Sequence, residues 1–233
     1  MKSSTTLLFI AVTTALTACS PSQAPSSTTT TPPVAAATAP NVPAGAYTMD
    51  KAHASLVFRV KHLGFSNYTA QFKSFDAQLQ FDPANLAASS VTATVDPRSL
   101  DLDNPPAGFT DELLGDQFLD AAKFPAMSFK STKLENMSAN QVRITGDFTL
   151  HGVTKPVVLD ATFNGGWAGI PQDPHARIGF SAHGSLNRGD FGIAYGIPAP
   201  GTTMGVSDRV DIAIEAEFTG PPLVVKTEAT TAK

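Results

Sequence analysis

Between residues 46 and 220 the pattern of hydrophobic and polar positions has a period of two. In "AHASLVFRVKHLGFS", residues 52–66, Leu56, Phe58, Val60 and His62 fall on one face, and Val57, Arg59 and Lys61 on the other. "SFDAQLQF" turns Phe75, Ala77, Leu79 and Phe81 inward and Asp76, Gln78 and Gln80 outward. "VTATV" repeats this with Val91, Ala93 and Val95, and "QVRITGDFTL" with Val142, Ile144, Phe148 and Leu150 around Gly146. "RVDIAIEAEF" sets Val210, Ile212, Ile214, Ala216 and Phe218 against Asp211, Glu215 and Glu217. Further runs at 67–73, 126–134, 156–163 and 177–186 make eight or nine strands. Alternation with one wet face is a property of antiparallel sheet, and many strands joined by short turns predict a barrel or sandwich. One segment departs. "TDELLGDQFLDAAKFP" predicts a short helix with Thr110 as N-cap, acids in its first turn, a break near Gly115 and an end before Pro125.

The 233 residues suit one domain with tails, and a net charge of -4 argues against a nucleic-acid binder, which would show a basic stripe. The apolar segment "LLFIAVTTAL" after Lys2 is too short to span and stay in a bilayer. It ends in "LTAC", Leu16 to Cys19, which resembles a bacterial lipoprotein signal. That resemblance implies that Cys19 is acylated and becomes the new N-terminus. Cys19 is the only cysteine, so the domain holds no internal disulfide. Acyl chains contribute about 0.8 kcal/mol per buried CH₂, enough to hold the protein on a membrane. By the same resemblance, Ser20 in place of aspartate implies the outer membrane, facing the periplasm. Residues 19–45 are rich in Ser, Thr, Pro and Ala and read as a disordered tether, with a root-mean-square span of roughly 25–30 Å. The expected organisation is signal peptide 1–18, tether 19–45, barrel 46–220 and loose tail 221–233.

Candidate chemistry changes this picture little. His53 and His62 are nine residues apart, on opposite faces of a regular strand and roughly 30 Å from each other. There is no His-x-His pair and no His-Glu-x-x-His, and His151, His175 and His183 lie in separate segments. No metal and no catalytic residue is expected. A Gly-x-Ser-x-Gly elbow is absent, Asp101 and Asp103 read as a solvated turn, and "GDFG" at 189–192 reads as a turn. The inward face is rich in phenylalanine, and a small barrel either fills its interior or holds a ligand there. Inward Ala70, Ala77, Gly146, Ala182 and Gly184 would leave room. Periodicity alone leaves the filled barrel, acting through its outer surface as an interaction domain, as the alternative.

Four motifs resemble the YceI family of bacterial periplasmic proteins. They are "YTMDKAHASLVFRVKHLGFS" with Asp50, His53, Phe58 and His62, "GDFTLHGVTKPVVL", "LNRGDFGI" and "VSDRVDIAIEAE". The resemblance implies an all-β fold, an extended eight-stranded antiparallel lipocalin-like barrel with one short helix. It implies a binder of a polyisoprenoid or similar amphiphile, such as an isoprenoid quinone, for transport, storage or sequestration, with links to stress responses. No cofactor is implied beyond that non-covalent lipid; a homodimer is an open expectation. The expected lining is Phe58, Val60, Phe72, Phe75, Leu79, Phe118, Phe124, Phe129, Phe148 and Leu150, with His62 and Arg188 as polar contacts near an end. The chain departs from the family at Ala54, Ala70 and Glu112-Leu113-Leu114-Gly115, ahead of Phe118 and Leu119. An acid and a leucine there replace cationic groups, so the expected head group is neutral or weakly polar.

Overall fold

The computed structural model describes residues 41–223. The expected signal peptide, Cys19, the tether up to residue 40 and the tail beyond Leu223 lie outside the described residues. Ten strands follow one another: β1 (Gly45–His62), β2 (Ser66–Phe72), β3 (Phe75–Phe81), β4 (Ser90–Val95), β5 (Leu100–Leu102), β6 (Met127–Asn136), β7 (Gln141–Leu150), β8 (Val153–Trp167), β9 (His175–Asn187) and β10 (Val206–Pro222). A helix, α1 (Phe109–Leu114), lies between β5 and β6. All strand pairs are antiparallel, and β10 pairs with β1 to close the sheet.

Ten strands make eight staves. The long β1 pairs with β2 along Val57–His62 and with β3 along Gly45–Thr48, so β2 and β3 run end to end as one stave. β4 flanks β3 and β5 flanks β2, forming a second interrupted stave. Pairing continues to Pro222, opposite His175, past the expected domain end at 220.

Two bulges keep the apolar face inward. Asp50 pairs with Glu217 and Ala54 with Ala216, leaving Lys51, Ala52 and His53 without partners. This odd insertion reverses the parity of β1. Tyr47 and Met49 are buried before it, and even-numbered Leu56, Phe58 and Val60 face inward after it. A slip of one residue moves every side chain to the other face, so the bulge decides where the apolar set lands. His53 therefore sits on the outer surface within a bulge. A second shift on β6, between Ser131 and Lys133, exchanges Phe129 for Leu134 as the inward residue.

The helix is shorter than its sequence predicts. Thr110 does not cap it; Gly108 does, in the left-handed region at φ 79°, with no side-chain hydrogen bond. Asp111 and Glu112 occupy the first turn, where the helix dipole favours acids. The helix stops at Gly115, and residues 115–124 continue as turns, with Asp120 N–H donating to the Gly115 carbonyl. β7 and β8 are joined by His151-Gly152, both with positive φ, the twist that a two-residue hairpin requires.

One end of the barrel is packed solid. Tyr47, Phe81, Phe163, Phe180 and Phe218 form a cluster of edge-to-face and stacked rings with centroids 5.5–6.5 Å apart. The fully buried Tyr47 hydroxyl donates to the Pro43 carbonyl at 2.7 Å, and burial raises its pKa. Glycine serves packing here rather than space. The Phe129 ring lies across Gly146 and the Leu159 side chain across Gly184, so neither glycine leaves room in the interior. Ala70 is likewise buried and adds nothing to the hollow. Gly146→Ala forces Phe129 off its seat and is expected to destabilise the domain by about 1–3 kcal/mol. Urea unfolding measures this, and an unchanged midpoint would contradict the packing described.

Candidate functional site

The inner faces of the staves enclose a cavity of about 830 Å³, towards the upper end of the roughly 300–1,000 Å³ usual for small-molecule sites. Its cause is legible in the cross-strand pairs. Ala77 faces Ala93 across β3 and β4, Ala161 faces Ala182 across β8 and β9, and all four line the space. Larger side chains at these positions would extend into that space. On β10 the lining runs from Val206 to Phe218. That is about 40 Å along the strand, or roughly 30 Å along the axis once strand tilt is allowed for. The aromatic cluster closes one end. The other is bordered by His62, Tyr68, the loop from Asp103 to Pro106, α1 and Tyr195.

The structure brings together most of the residues expected from the sequence. Phe58 and Val60 on β1 line the cavity, as do Phe72 on β2, Phe75 and Leu79 on β3 and Phe129 on β6. Phe148 and Leu150 on β7 line it too, with Phe118 from the segment after α1. Phe58 and Phe72 stack with centroids 5.4 Å apart. Phe124 is elsewhere. Its ring covers Gly152 and meets the edge of His151 at 4.9 Å, because the β7–β8 turn offers a side-chain-free surface there. His151 Nδ1–H in turn donates to the Phe191 carbonyl at 3.2 Å, fixing that hairpin against the 188–191 turn.

The two expected polar contacts differ in kind. His62 is exposed at the mouth. Arg188 reaches the lining, but its side chain is buried and engaged. Its guanidinium donates to the carbonyls of Ile193, Tyr195, Val206 and Ser207 at 2.8–3.0 Å. Burial lowers its pKa and Asp208 opposes that shift, yet a guanidinium stays charged at ordinary pH. Arg188 therefore clamps both legs of the loop 193–207 to the rim and has little left to offer a ligand. Asp103, Asn104, Glu112, Tyr68 and Tyr195 supply the remaining polar groups at the mouth. Glu112 stands where the resemblance set an acid against the head group; sequence reasoning missed the other four, most of which lie in loops that carry no period. Tyr68 alone was recoverable, by extending the phase of Phe72 along β2.

Outside the cavity, Asp50, His53 and Glu217 lie close enough for their ligand atoms to approach one cation, gathered by the β1 bulge. Asp50 already accepts from Arg177 at 2.9 Å and lies 3.1 Å from His53 Nδ1. The hydrogen bonds from His53, the Ala52 N–H and Arg177 lower its pKa. An arginine beside the carboxylate does a cation's work, tying β1 to β9. Asp101 pairs with Lys73 at 3.0 Å and accepts from Gln71 at 2.8 Å, and these contacts lower its pKa. It is a surface ion pair. A shallow outer depression of about 440 Å³ between Arg59, Asp160, His183, Arg209 and Asp211 is polar, and its charges are largely paired.

A family model described as the YceI-like domain matches residues 47–218, nearly the whole closed sheet. The chain belongs to the YceI-like family. A UPF0312 protein of Vibrio cholerae is 40% identical over 178 residues, covering 75% of this chain and 87% of its own. A UPF0312 protein of Pseudomonas savastanoi is 37% identical, with 74% and 86% covered. Among solved structures, the Campylobacter jejuni YCEI protein superposes with a TM-score of 0.58 at 32% identity, covering 69% and 90%. Burkholderia cenocepacia BcnA gives 0.60 at 25%, covering 72% and 98%. A polyisoprenoid binding domain from Saccharophagus degradans shares the fold at 0.53 and 13% identity, covering 75% and 98%.

Arg188→Met removes the donor of four rim carbonyls at once and is expected to lower stability by about 3 kcal/mol or more. Arg188→Lys should not recover it, because one ammonium cannot serve both legs of the loop. Unfolding of both variants near the wild-type midpoint would remove the clamp from this account.

Proposed function

We propose that this protein binds a linear apolar molecule with a small uncharged head, such as a polyisoprenoid alcohol or isoprenoid quinone. The chain occupies the hollow and the head stays at the mouth. The observation that carries this reading is the apolar cavity, closed at one end and polar only at the other. The hollow also counts against a filled barrel acting through its outer surface. A five-carbon prenyl unit contributes roughly 3–4 kcal/mol at about 0.8 kcal/mol per buried CH₂, before the cost of ordering the chain. A few buried units then reach micromolar affinity or better. Membership of the YceI-like family and the shared fold with a domain named for polyisoprenoid binding support the same chemistry. Attachment through Cys19 to the outer membrane would keep such a carrier at a lipid source in the envelope.

Native mass spectrometry of the gently purified protein is expected to show a co-purified lipid or uptake of farnesol. Ala182→Phe, which projects a ring into the hollow, should lower farnesol affinity at least tenfold. A wild-type protein that takes up no prenyl ligand would defeat the reading.

The mouth bears on the head group. Among the described lining residues Arg188 is the one arginine or lysine, and it is engaged with the backbone. Asp103 and Glu112 make the border acidic. Farnesol is therefore expected to bind more tightly than farnesyl pyrophosphate, and Glu112→Lys to narrow the difference. Titration of both ligands decides it; tighter binding of the pyrophosphate to the wild type would refute the head-group preference.

A further inference from the structure

Phe65 and Met204 are the two most exposed large apolar side chains among the described residues, at 84% and 76% of full exposure. They come from different loops yet stand together. Leu63 N–H donates to the Gly205 carbonyl at 2.9 Å, and Gly64 lies against the Thr203 side chain. Their neighbours His62, Gly205 and Val206 line the cavity mouth, and Tyr195, 56% exposed, continues the patch.

Charge is absent from this sector. Residues 63–72 and 191–207 contain no Asp, Glu, Lys or Arg, whereas elsewhere the border carries Asp103 and Glu112. The tips are held rigidly. Arg188 clamps one loop, and Leu63 takes a left-handed φ of 52°, uncommon for leucine, to turn the other. Three side chains of roughly 150–250 Å² each fall short of the ~800 Å² per partner of a stable protein interface. They suit shallow insertion among lipids. An apolar ligand that leaves a bilayer for the cavity has to cross this rim, and an uncharged apolar border shortens its path through water.

We propose that Phe65 and Met204 form a membrane-docking tip that seats the open end of the barrel on a lipid surface for ligand transfer. This rests on the ligand-binding reading for its purpose, but not for its test.

In the full chain with Cys19→Ala, an environment-sensitive nitrobenzoxadiazole dye is attached at Phe65→Cys or Met204→Cys, or at Gln80→Cys near the closed end. Phosphatidylcholine vesicles should shift the emission of the two rim labels to the blue and leave the control label unchanged. Raised salt should not reverse the shift, because screening acts on charges and not on apolar contact. Equilibrium binding of the uncharged probe N-phenyl-1-naphthylamine reports the cavity separately. Phe65→Ser with Met204→Ser should leave it intact while slowing probe transfer from vesicles at least tenfold. The proposal is overturned if the rim labels do not respond, or if the control label responds equally. It is also overturned if the rim instead mediates a concentration-dependent dimer that the serine variant abolishes.

Discussion

Closure of β1 against β10 is the constraint on which everything else rests. An open sheet of this length would present an unpaired edge and a broad apolar face to water. Pairing the two longest strands turns that face into an interior and leaves every stave with two neighbours. Closure demands that each stave keep its apolar side inward along its whole length. The bulges at Lys51–His53 and at Ser131–Lys133 are how two staves meet that demand when their sequences change phase.

Once the barrel is closed, side-chain volume decides what its interior is. Toward Tyr47 and Phe218 the rings meet and leave no passage. Where neighbouring strands pair alanine with alanine, the short side chains leave the interior unfilled. At the far end, a loop fastened by one buried arginine and a short glycine-capped helix border an opening. The same fold is thus a packed core at one pole and a vessel at the other. Binding capacity follows from the contrast, because a blind apolar tube offers a chain-like ligand burial for its tail and water only for its head.

Much of this was legible beforehand. Strand positions and inward faces follow from alternation, since in a half-buried strand polarity reports directly which side meets water. The lining positions on β1, β2, β3, β6 and β7 are those the period-two pattern turns inward. What failed was outside any period. Phe124 is as apolar as the lining residues, but its ring covers a turn glycine distant in sequence. Arg188 borders the cavity, yet its guanidinium is engaged with backbone rather than open to a ligand. The four carbonyls that occupy it come from residues whose approach depends on the loop's path.

The sequence by itself determined the all-β antiparallel class, the inward face of each regular strand segment and the scarcity of charge on it, because each is a property of local periodicity and composition. Tertiary structure alone decided that the interior is hollow rather than filled, which end is open, and that the uncharged tips of two remote loops stand side by side. Those outcomes depend on cross-strand register and on the sum of side-chain volumes around a closed ring, and neither quantity exists along a single strand.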